Sequence, residues 1–165
     1  MRVPFRQPGK YALIKPDRHI TQIKFDKLEA QLAKLLVTRQ TAIDEVQKYA
    51  FEGDFSENAP YQIAKGRLRG INQKILEIED ALSHAEIIKT SGQKHTVQLG
   101  CSVTIKINNE TKTYQILGSA ETNPQAGIIS FRSPFGEALM GHKINDIITL
   151  QIGKKEVTCQ IVKIV

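Results

Sequence analysis

The sequence predicts an α+β protein in which a long antiparallel α-helical hairpin, a coiled coil, is followed by a small antiparallel β-sheet domain with one short helix. In the first half, apolar residues recur at alternating intervals of three and four, which is typical of helices that bury one seam. In the second half, apolar and polar residues alternate, which is typical of strands. A chain of 165 residues has room for two small domains of this kind.

Residues 1–21 precede the first periodic segment and are predicted to form an irregular basic leader. Residues 1–20 carry five basic side chains and one acidic side chain, and they hold three of the six prolines. Prolines at this density disfavour regular structure.

Residues 22–88 are predicted to form the hairpin, with an acidic tip at 53–58. Two apolar seams of similar length flank a short connection that contains Gly53 and Pro60, so the helices are expected to bury one seam against the other. About 28 residues per helix would give an arm of roughly 40 Å. The seam positions are Phe25, Leu28, Leu32, Leu35, Arg39, Ala42, Val46 and Tyr49, then Ala64, Leu68, Ile71, Ile75, Ile78, Leu82 and Ala85.

A polar linker is predicted at 89–98, and the sheet domain at 99–165. Its five strands are expected around 103–107, 113–117, 127–131, 146–152 and 157–165, with a turn at Asn108 and Asn109. A short helix is expected to begin with Ser133 as its cap and Pro134 at its first position. Gly141 is placed to end it.

Composition narrows the function classes. No apolar run approaches the roughly 18–20 residues that span a bilayer, and the N-terminus has no signal-peptide pattern, so we expect a cytoplasmic protein with no membrane partner. Cys101 and Cys159 lie far apart and are expected to be free thiols. Residues 21–88 carry nine basic and eleven acidic side chains, whereas residues 89–165 carry nine basic and five acidic. This uneven charge favours contact with nucleic acid or with a partner that handles it, although it is also compatible with simple solubility.

The tip holds the acids Glu52, Asp54 and Glu57. Asp54 and Glu57 stand three residues apart in a turn, so their carboxylates can converge on a hard cation such as Mg²⁺. Such a metal site makes sense if another macromolecule completes it, and the ion would then activate water for phosphodiester cleavage. The alternative is a capping box, with Asp54 as the helix cap. Pro60 weakens that alternative because it favours a helix that begins nearer Ser56 or later, but the two interpretations stay open at this point.

Four basic residues follow the tip on the second helix, at positions outside the seam. Next to an acidic tip, they are predicted to contact the phosphates of an RNA or DNA strand, and the alternative is an ordinary charged helix face. They are Lys65, Arg67, Arg69 and Lys74.

The nine residues from Gly53 to Tyr61 resemble the tip motif of the Gre family of bacterial transcript-cleavage factors. The motif reads Gly-Asp, then Glu-Asn-Ala after two residues, then Tyr after Pro60, at the apex of a long hairpin. The resemblance extends over residues 22–165 and includes the segments 129–134 and 138–141. The stretch from Tyr61 to Arg69 looks more like the GreB branch.

The resemblance implies that the hairpin enters the secondary channel of RNA polymerase. Asp54 and Glu57 would then help hold a catalytic Mg²⁺ and a water there, and the polymerase itself would cleave backtracked nascent RNA. Ser56, Asn58 and Tyr61 would support the tip, and Lys65, Arg67, Arg69 and Lys74 would face the RNA. The second domain would have an FKBP-like fold.

On this interpretation the chain is an auxiliary factor that acts as a monomer, is not an enzyme alone and binds no metal tightly by itself. Three other functions stay open: an inhibitory regulator that occupies the same channel without promoting cleavage, a prolyl isomerase, and a coiled-coil adaptor.

Overall fold

The computed structural model describes residues 17–51, 58–89, 95–107, 110–152 and 155–165. Two long helices, α1 (Gln22–Phe51) and α2 (Ala59–Ser83), make up its first half, as the sequence predicts. They have 30 and 25 residues, so α1 is about 45 Å long. Among the described residues, no helix has the length and apolar character needed to cross a bilayer.

Contacts between the helices show that they run antiparallel. Asn58, just before α2, donates from Nδ2 to the carbonyl oxygen of Tyr49 (2.7 Å). Farther along α2, the Nη1 atom of Arg67 lies 3.1 Å from a carboxylate oxygen of Glu45. The partners on α1 therefore recede along the chain as α2 advances, and the predicted hairpin is confirmed.

The predicted seam is the buried face of the hairpin. Every predicted seam position is buried or half-buried except Arg39, which is exposed because burying an unpaired charge is costly. Ala42 is 2% exposed and packs with Ile71 and Ile75. Its small side chain allows the two helices to approach closely at this level.

The second half is a five-stranded sheet, which confirms the α+β class. The strands are β3 (Ser102–Ile107), β4 (Glu110–Leu117), β5 (Ile128–Ser130), β6 (Ile147–Ile152) and β7 (Lys155–Ile164). Their order in the sheet is β5-β4-β3-β7-β6. One face carries the core, in which Ile105, Ile116, Leu139 and Ile161 are fully buried.

The prediction that this sheet is antiparallel throughout is wrong for one strand. β3 pairs antiparallel with both β4 and β7, and β6 pairs antiparallel with β7, but β5 pairs parallel with β4. The connection from β4 to β5 contains two 3-10 turns, Ser119–Glu121 and Pro124–Ala126. A parallel pair needs a longer connection than a hairpin, and these turns provide it.

The short helix α3 (Pro134–Leu139) begins as predicted. The Ser133 hydroxyl oxygen accepts from the Gly136 amide (3.0 Å), and Pro134 takes the first helical position. Gly141 follows the helix with a φ of 81°.

Val97 lies inside the predicted linker 89–98, yet it is fully buried in the sheet-domain core and its amide donates to the carbonyl oxygen of His142. The sheet domain therefore begins earlier than residue 99.

The boundary of the leader also needs correction. His19–Ile20 form a strand, β1, that pairs parallel with β2 (Glu86–Ile87), just beyond the end of α2. The leader is thus regular at 19–20, and the second helix ends before Ala85. Two residues in each strand show little alternation, so no periodic pattern marks them. This pairing closes the base of the hairpin.

The base of the hairpin is held against the sheet domain at a junction formed by residues 17–21 and 118–121, together with Phe131. The Asp17 carboxylate is 3% exposed and accepts from the Ser119 amide (2.6 Å). The imidazole ring of His19 packs edge-on against Phe131, with centroids 5.5 Å apart. Gly118 lies so close to the backbone of His19 that a Cβ atom would overlap its carbonyl oxygen.

Thr21 and Glu121 make the remaining contact of the junction. The Thr21 amide and hydroxyl donate to the two carboxylate oxygens of Glu121, at 2.7 and 2.6 Å. The same hydroxyl oxygen accepts from the Lys24 amide (3.2 Å), so Thr21 caps α1. The negative charge of Glu121 also lies at the positive end of the α1 dipole, where it stabilises the helix.

Replacing Gly118 by alanine should destabilise the protein. Because the new Cβ atom would overlap the His19 carbonyl, we expect a loss of about 1–3 kcal/mol in the free energy of unfolding. Gly66→Ala is the matched control: its Cβ atom would meet nothing within 4 Å, and alanine should stabilise α2 by about 0.5–1 kcal/mol. Denaturant unfolding followed by circular dichroism measures both. A neutral Gly118→Ala protein would contradict the close contact with β1.

Asp17 should make the junction sensitive to acid. Burial raises the pKa of its carboxyl, but hydrogen bonds from Ser119 and His19 outweigh burial and lower the pKa below its ordinary value of 3.8. A lowered pKa in the folded state stabilises the fold above the ordinary value, and this stabilisation is lost as the pH falls through the lowered pKa. The gap in unfolding free energy between wild type and Asp17→Asn should therefore shrink at acid pH. Unfolding both proteins in denaturant across a pH series measures it, and a gap that stays constant would contradict the assignment.

Candidate functional site

Asn58 organises the end of the hairpin that is remote from the sheet domain. Its Oδ1 atom accepts from the Tyr61 amide (3.0 Å), which makes it the cap of α2. Its Nδ2 atom donates to the carbonyl oxygen of Tyr49 at the end of α1. One side chain therefore starts one helix and ties it to the other. These bonds hold the ends of the two helices together, whereas the predicted role of Asn58 in supporting the acids of the tip stays a prediction.

The position of this cap tests one of the two interpretations of the acidic pair, the capping box. α2 begins at Ala59, with Pro60 in its first turn, which confirms the late start that Pro60 predicts. Because Asn58 is the cap, Asp54 cannot be, and the capping-box interpretation is wrong. Asp54, Ser56 and Glu57 themselves lie outside the described residues, so their predicted roles stay predictions.

Two exposed apolar residues near the apex are missed by the sequence analysis. Phe51 at the end of α1 is 92% exposed, and Ile63 near the start of α2 is 73% exposed. Neither residue belongs to the apolar seam. An apolar residue outside the seam is expected to be exposed, and this signal could have identified both residues from the sequence. Large apolar side chains that are exposed this close to an apex favour contact with a partner surface.

The four predicted basic residues do not form one patch. At 100° per residue, Lys65 and Arg69 share one side of α2, whereas Arg67 and Lys74 share another about 170° away. The buried seam, marked by Ala64 and the isoleucines of α2, lies between these two directions. The basic residues therefore flank the seam as two pairs, and one strand of nucleic acid running along one flank meets one pair.

Some of these cations already have partners within the hairpin. The Arg67 guanidinium pairs with Glu45 on α1, and Lys65 Nζ lies 5.7 Å from the ring centroid of Tyr61. The Arg67 side chain is 56% exposed, and an ion pair at such a site contributes at most about 1 kcal/mol. All four basic residues are exposed, so phosphate groups can still reach them.

Within the parts of the chain that the structure describes, no group of three or more acidic, histidine or cysteine side chains is arranged to hold a metal ion. The predicted magnesium ligands, Asp54 and Glu57, lie outside those parts. Cys101 and Cys159 are both free and buried in the sheet domain, as predicted. Burial raises the pKa of the Cys159 thiol, which disfavours its reactive form.

The protein is of a class in which a long helical hairpin is attached to a small sheet domain, and acidic residues lie in the sequence between the two helices. Comparison with known proteins identifies the family. A family model described as "Transcription elongation factor, N-terminal" matches residues 18–87, and one described as "Transcription elongation factor, GreA/GreB, C-term" matches residues 92–165. The chain belongs to the GreA/GreB family of transcription elongation factors.

Sequence relatives cover most of the chain. Transcription elongation factor GreA of Macrococcus caseolyticus is 41% identical over 136 residues, which span 81% of this chain and 86% of that protein. GreA of Thermomicrobium roseum is 36% identical, with 88% and 95% covered, and GreA of Lactococcus lactis subsp. cremoris is 38% identical, with 88% and 96% covered. The predicted closeness of the tip to the GreB branch stays a prediction.

Among solved structures, the GreA factor homolog 1 (Gfh1) protein of Thermus thermophilus is 26% identical, with 89% of this chain and 97% of that chain covered. The TM-score is 0.42, and the family assignment rests on the sequence relatives.

Substituting Asn58 should loosen the apex. Asn58→Ala removes both the cap and the bond to Tyr49, and we expect a loss of about 1–2 kcal/mol in the free energy of unfolding. Asn58→Asp keeps the acceptor that caps α2 but loses the donor, so its loss should be smaller. Thermal and denaturant unfolding measure both proteins. Equal losses would mean that the cap itself contributes little.

Proposed function

We propose that this protein stimulates RNA cleavage by RNA polymerase in backtracked elongation complexes. In this proposal, the hairpin enters the secondary channel of the polymerase, and the tip brings Asp54 and Glu57 to the active site. The observation that carries the proposal is the Asn58 cap, because α2 begins at Ala59 and takes Asn58, not Asp54, as its cap. Membership of the GreA/GreB family supports the same function.

The protein acts as an auxiliary factor and not as a complete enzyme. Mg²⁺ favours near-octahedral coordination by oxygen and commonly takes only one or two protein carboxylates. Asp54 and Glu57 are two such ligands, and their chemistry fits this ion. They leave most of its coordination sphere to water, RNA phosphate and the polymerase, which explains why the acids are carried on an arm that reaches a partner.

When bound, the ion would supply an activated water and would stabilise charge on the phosphodiester. The contribution of this chain is positional: α1 and α2 bring two carboxylates to the reacting phosphate, and Asn58 holds the helices together behind them. The charge of the pair favours a cation at that point. Phe51 and Ile63, exposed on either side of the apex, contact apolar surface of the channel.

Nascent RNA is the second partner in this proposal. Lys65 with Arg69, or Arg67 with Lys74, faces the extruded RNA, since each pair lies on one flank of α2. Contacts to phosphate of this kind position the strand without reading its sequence. The protein works in the cytoplasm, where the polymerase is, and as a monomer.

Removing either acid should abolish cleavage stimulation. In a defined backtracked complex, Asp54→Ala or Glu57→Ala should slow RNA shortening by about 10²-fold or more, the scale for losing one group that stabilises a transition state. Binding to polymerase, measured by competition with labelled wild type, should stay within a few-fold because the helices are unchanged. Cleavage gels over a time course measure the rates.

Glu29→Ala is the control, because Glu29 is an exposed acid on α1 near the hairpin base. It should cleave like wild type. Parallel loss of binding and cleavage in the tip variants would mean that the acids are structural. A wild-type protein that suppresses synthesis without shortening RNA would instead be an inhibitory regulator, and full activity in both tip variants would favour an adaptor.

A further inference from the structure

The first turn of α1 lacks an acidic residue of its own. In a capping box, the third helical residue is Glu or Gln, and its side chain accepts from the amide of the cap residue. Here the third residue is Lys24, and no acid lies in the first turn. The cap amide, that of Thr21, donates instead to Glu121 of the sheet domain (2.7 Å). The capping box of α1 is therefore completed by the other domain, 100 residues away in sequence.

Three further contacts fix the same segment. The buried Asp17 carboxylate accepts from the Ser119 amide (2.6 Å), and Gly118 receives the backbone of His19 at a distance that excludes a side chain. The His19 ring packs on Phe131. These contacts lie at different points along residues 17–21, immediately before α1 begins. Contacts at several points along this segment resist rotation of the hairpin relative to the sheet domain, whereas a single contact would act as a pivot.

Arm length makes the angle at this junction important. α1 is about 45 Å long, so a tilt of about 5° at its base moves the apex by about 4 Å. Misplacing catalytic groups by about 1 Å can cost about 10²-fold in rate. The hairpin contacts the sheet domain through its base, and small changes there are therefore amplified at the apex.

The geometry points to Glu121 and Asp17 as positioning residues for transcript cleavage: their hydrogen bonds across the domain junction set the direction of the hairpin and thereby the place of its acidic apex. This inference rests on the proposed function for its catalytic part. Its structural part, the direction of the arm, stands independently of polymerase.

Distances between the domains test the structural part. Phe51→Cys near the apex and Ile147→Cys on β6 place spin labels at positions that are 92% and 70% exposed. The native Cys101 and Cys159 are only 1% and 2% exposed, which disfavours their labelling. Pulsed electron–electron double resonance on the full-length, doubly labelled protein should give a narrow distribution of distances between the two labels. We expect Glu121→Gln and Asp17→Asn each to broaden or shift it, by up to about 4 Å for a tilt of about 5°.

Cleavage assays test the catalytic part in unlabelled proteins. We expect Glu121→Gln and Asp17→Asn to slow cleavage about tenfold or more, with affinity for polymerase changed less than about threefold. Thr21→Ser keeps the hydroxyl and amide that reach Glu121, and it should behave as wild type. Glu79→Gln, at an exposed carboxylate on α2, is the control for losing one charge. Circular dichroism checks that each variant is folded.

Each result decides something different. An unchanged distance distribution in both junction variants overturns the inference, and so does unchanged cleavage in variants whose distribution has broadened. Wild-type protein that stimulates no cleavage overturns the proposed function instead, while the distance measurement still decides whether the junction directs the arm. If Thr21→Ser behaves like Glu121→Gln, the hydrogen bonds are not the cause.

Discussion

The amide and hydroxyl of Thr21 meet the carboxylate of Glu121 where the two halves of the molecule join. This pair of hydrogen bonds satisfies the cap of the first helix with a group from the second domain. Part of what holds the start of α1 in place comes from the other domain. The bonds therefore couple the most local feature of α1, its first turn, to the placement of the whole arm.

The opposite end of the hairpin uses the same kind of bond between its own helices. Asn58 caps α2 and donates to the carbonyl of Tyr49, so the apex is held by one side chain that serves both helices. Between these ends, a single apolar seam joins α1 to α2. The seam fixes how the helices lie on one another but gives no direction relative to the sheet, which comes from the junction.

The spacing of apolar residues predicts the hairpin and the strands because each of these elements depends on residues that are close together in the sequence. The seam from Phe25 to Ala85 and the cap at Ser133 follow from spacing alone. The parallel pairing of β5 does not, since it depends on how a connection with two 3-10 turns returns to the sheet. The split of the basic residues could have been found from helical angles, whereas the bond from Thr21 to Glu121 joins residues 100 positions apart and leaves no local pattern.

Chemistry at the apex and geometry at the base are linked by the length of the arm. A group on a short loop is placed by the domain that carries it, but the apex of a hairpin whose first helix is about 45 Å long is placed by the angle at its base. The residues that set this angle, Asp17 and Glu121, are buried or half-buried and make their bonds within the protein. Residues at the base of the arm therefore bear on the proposed function as much as the acids in the tip sequence do.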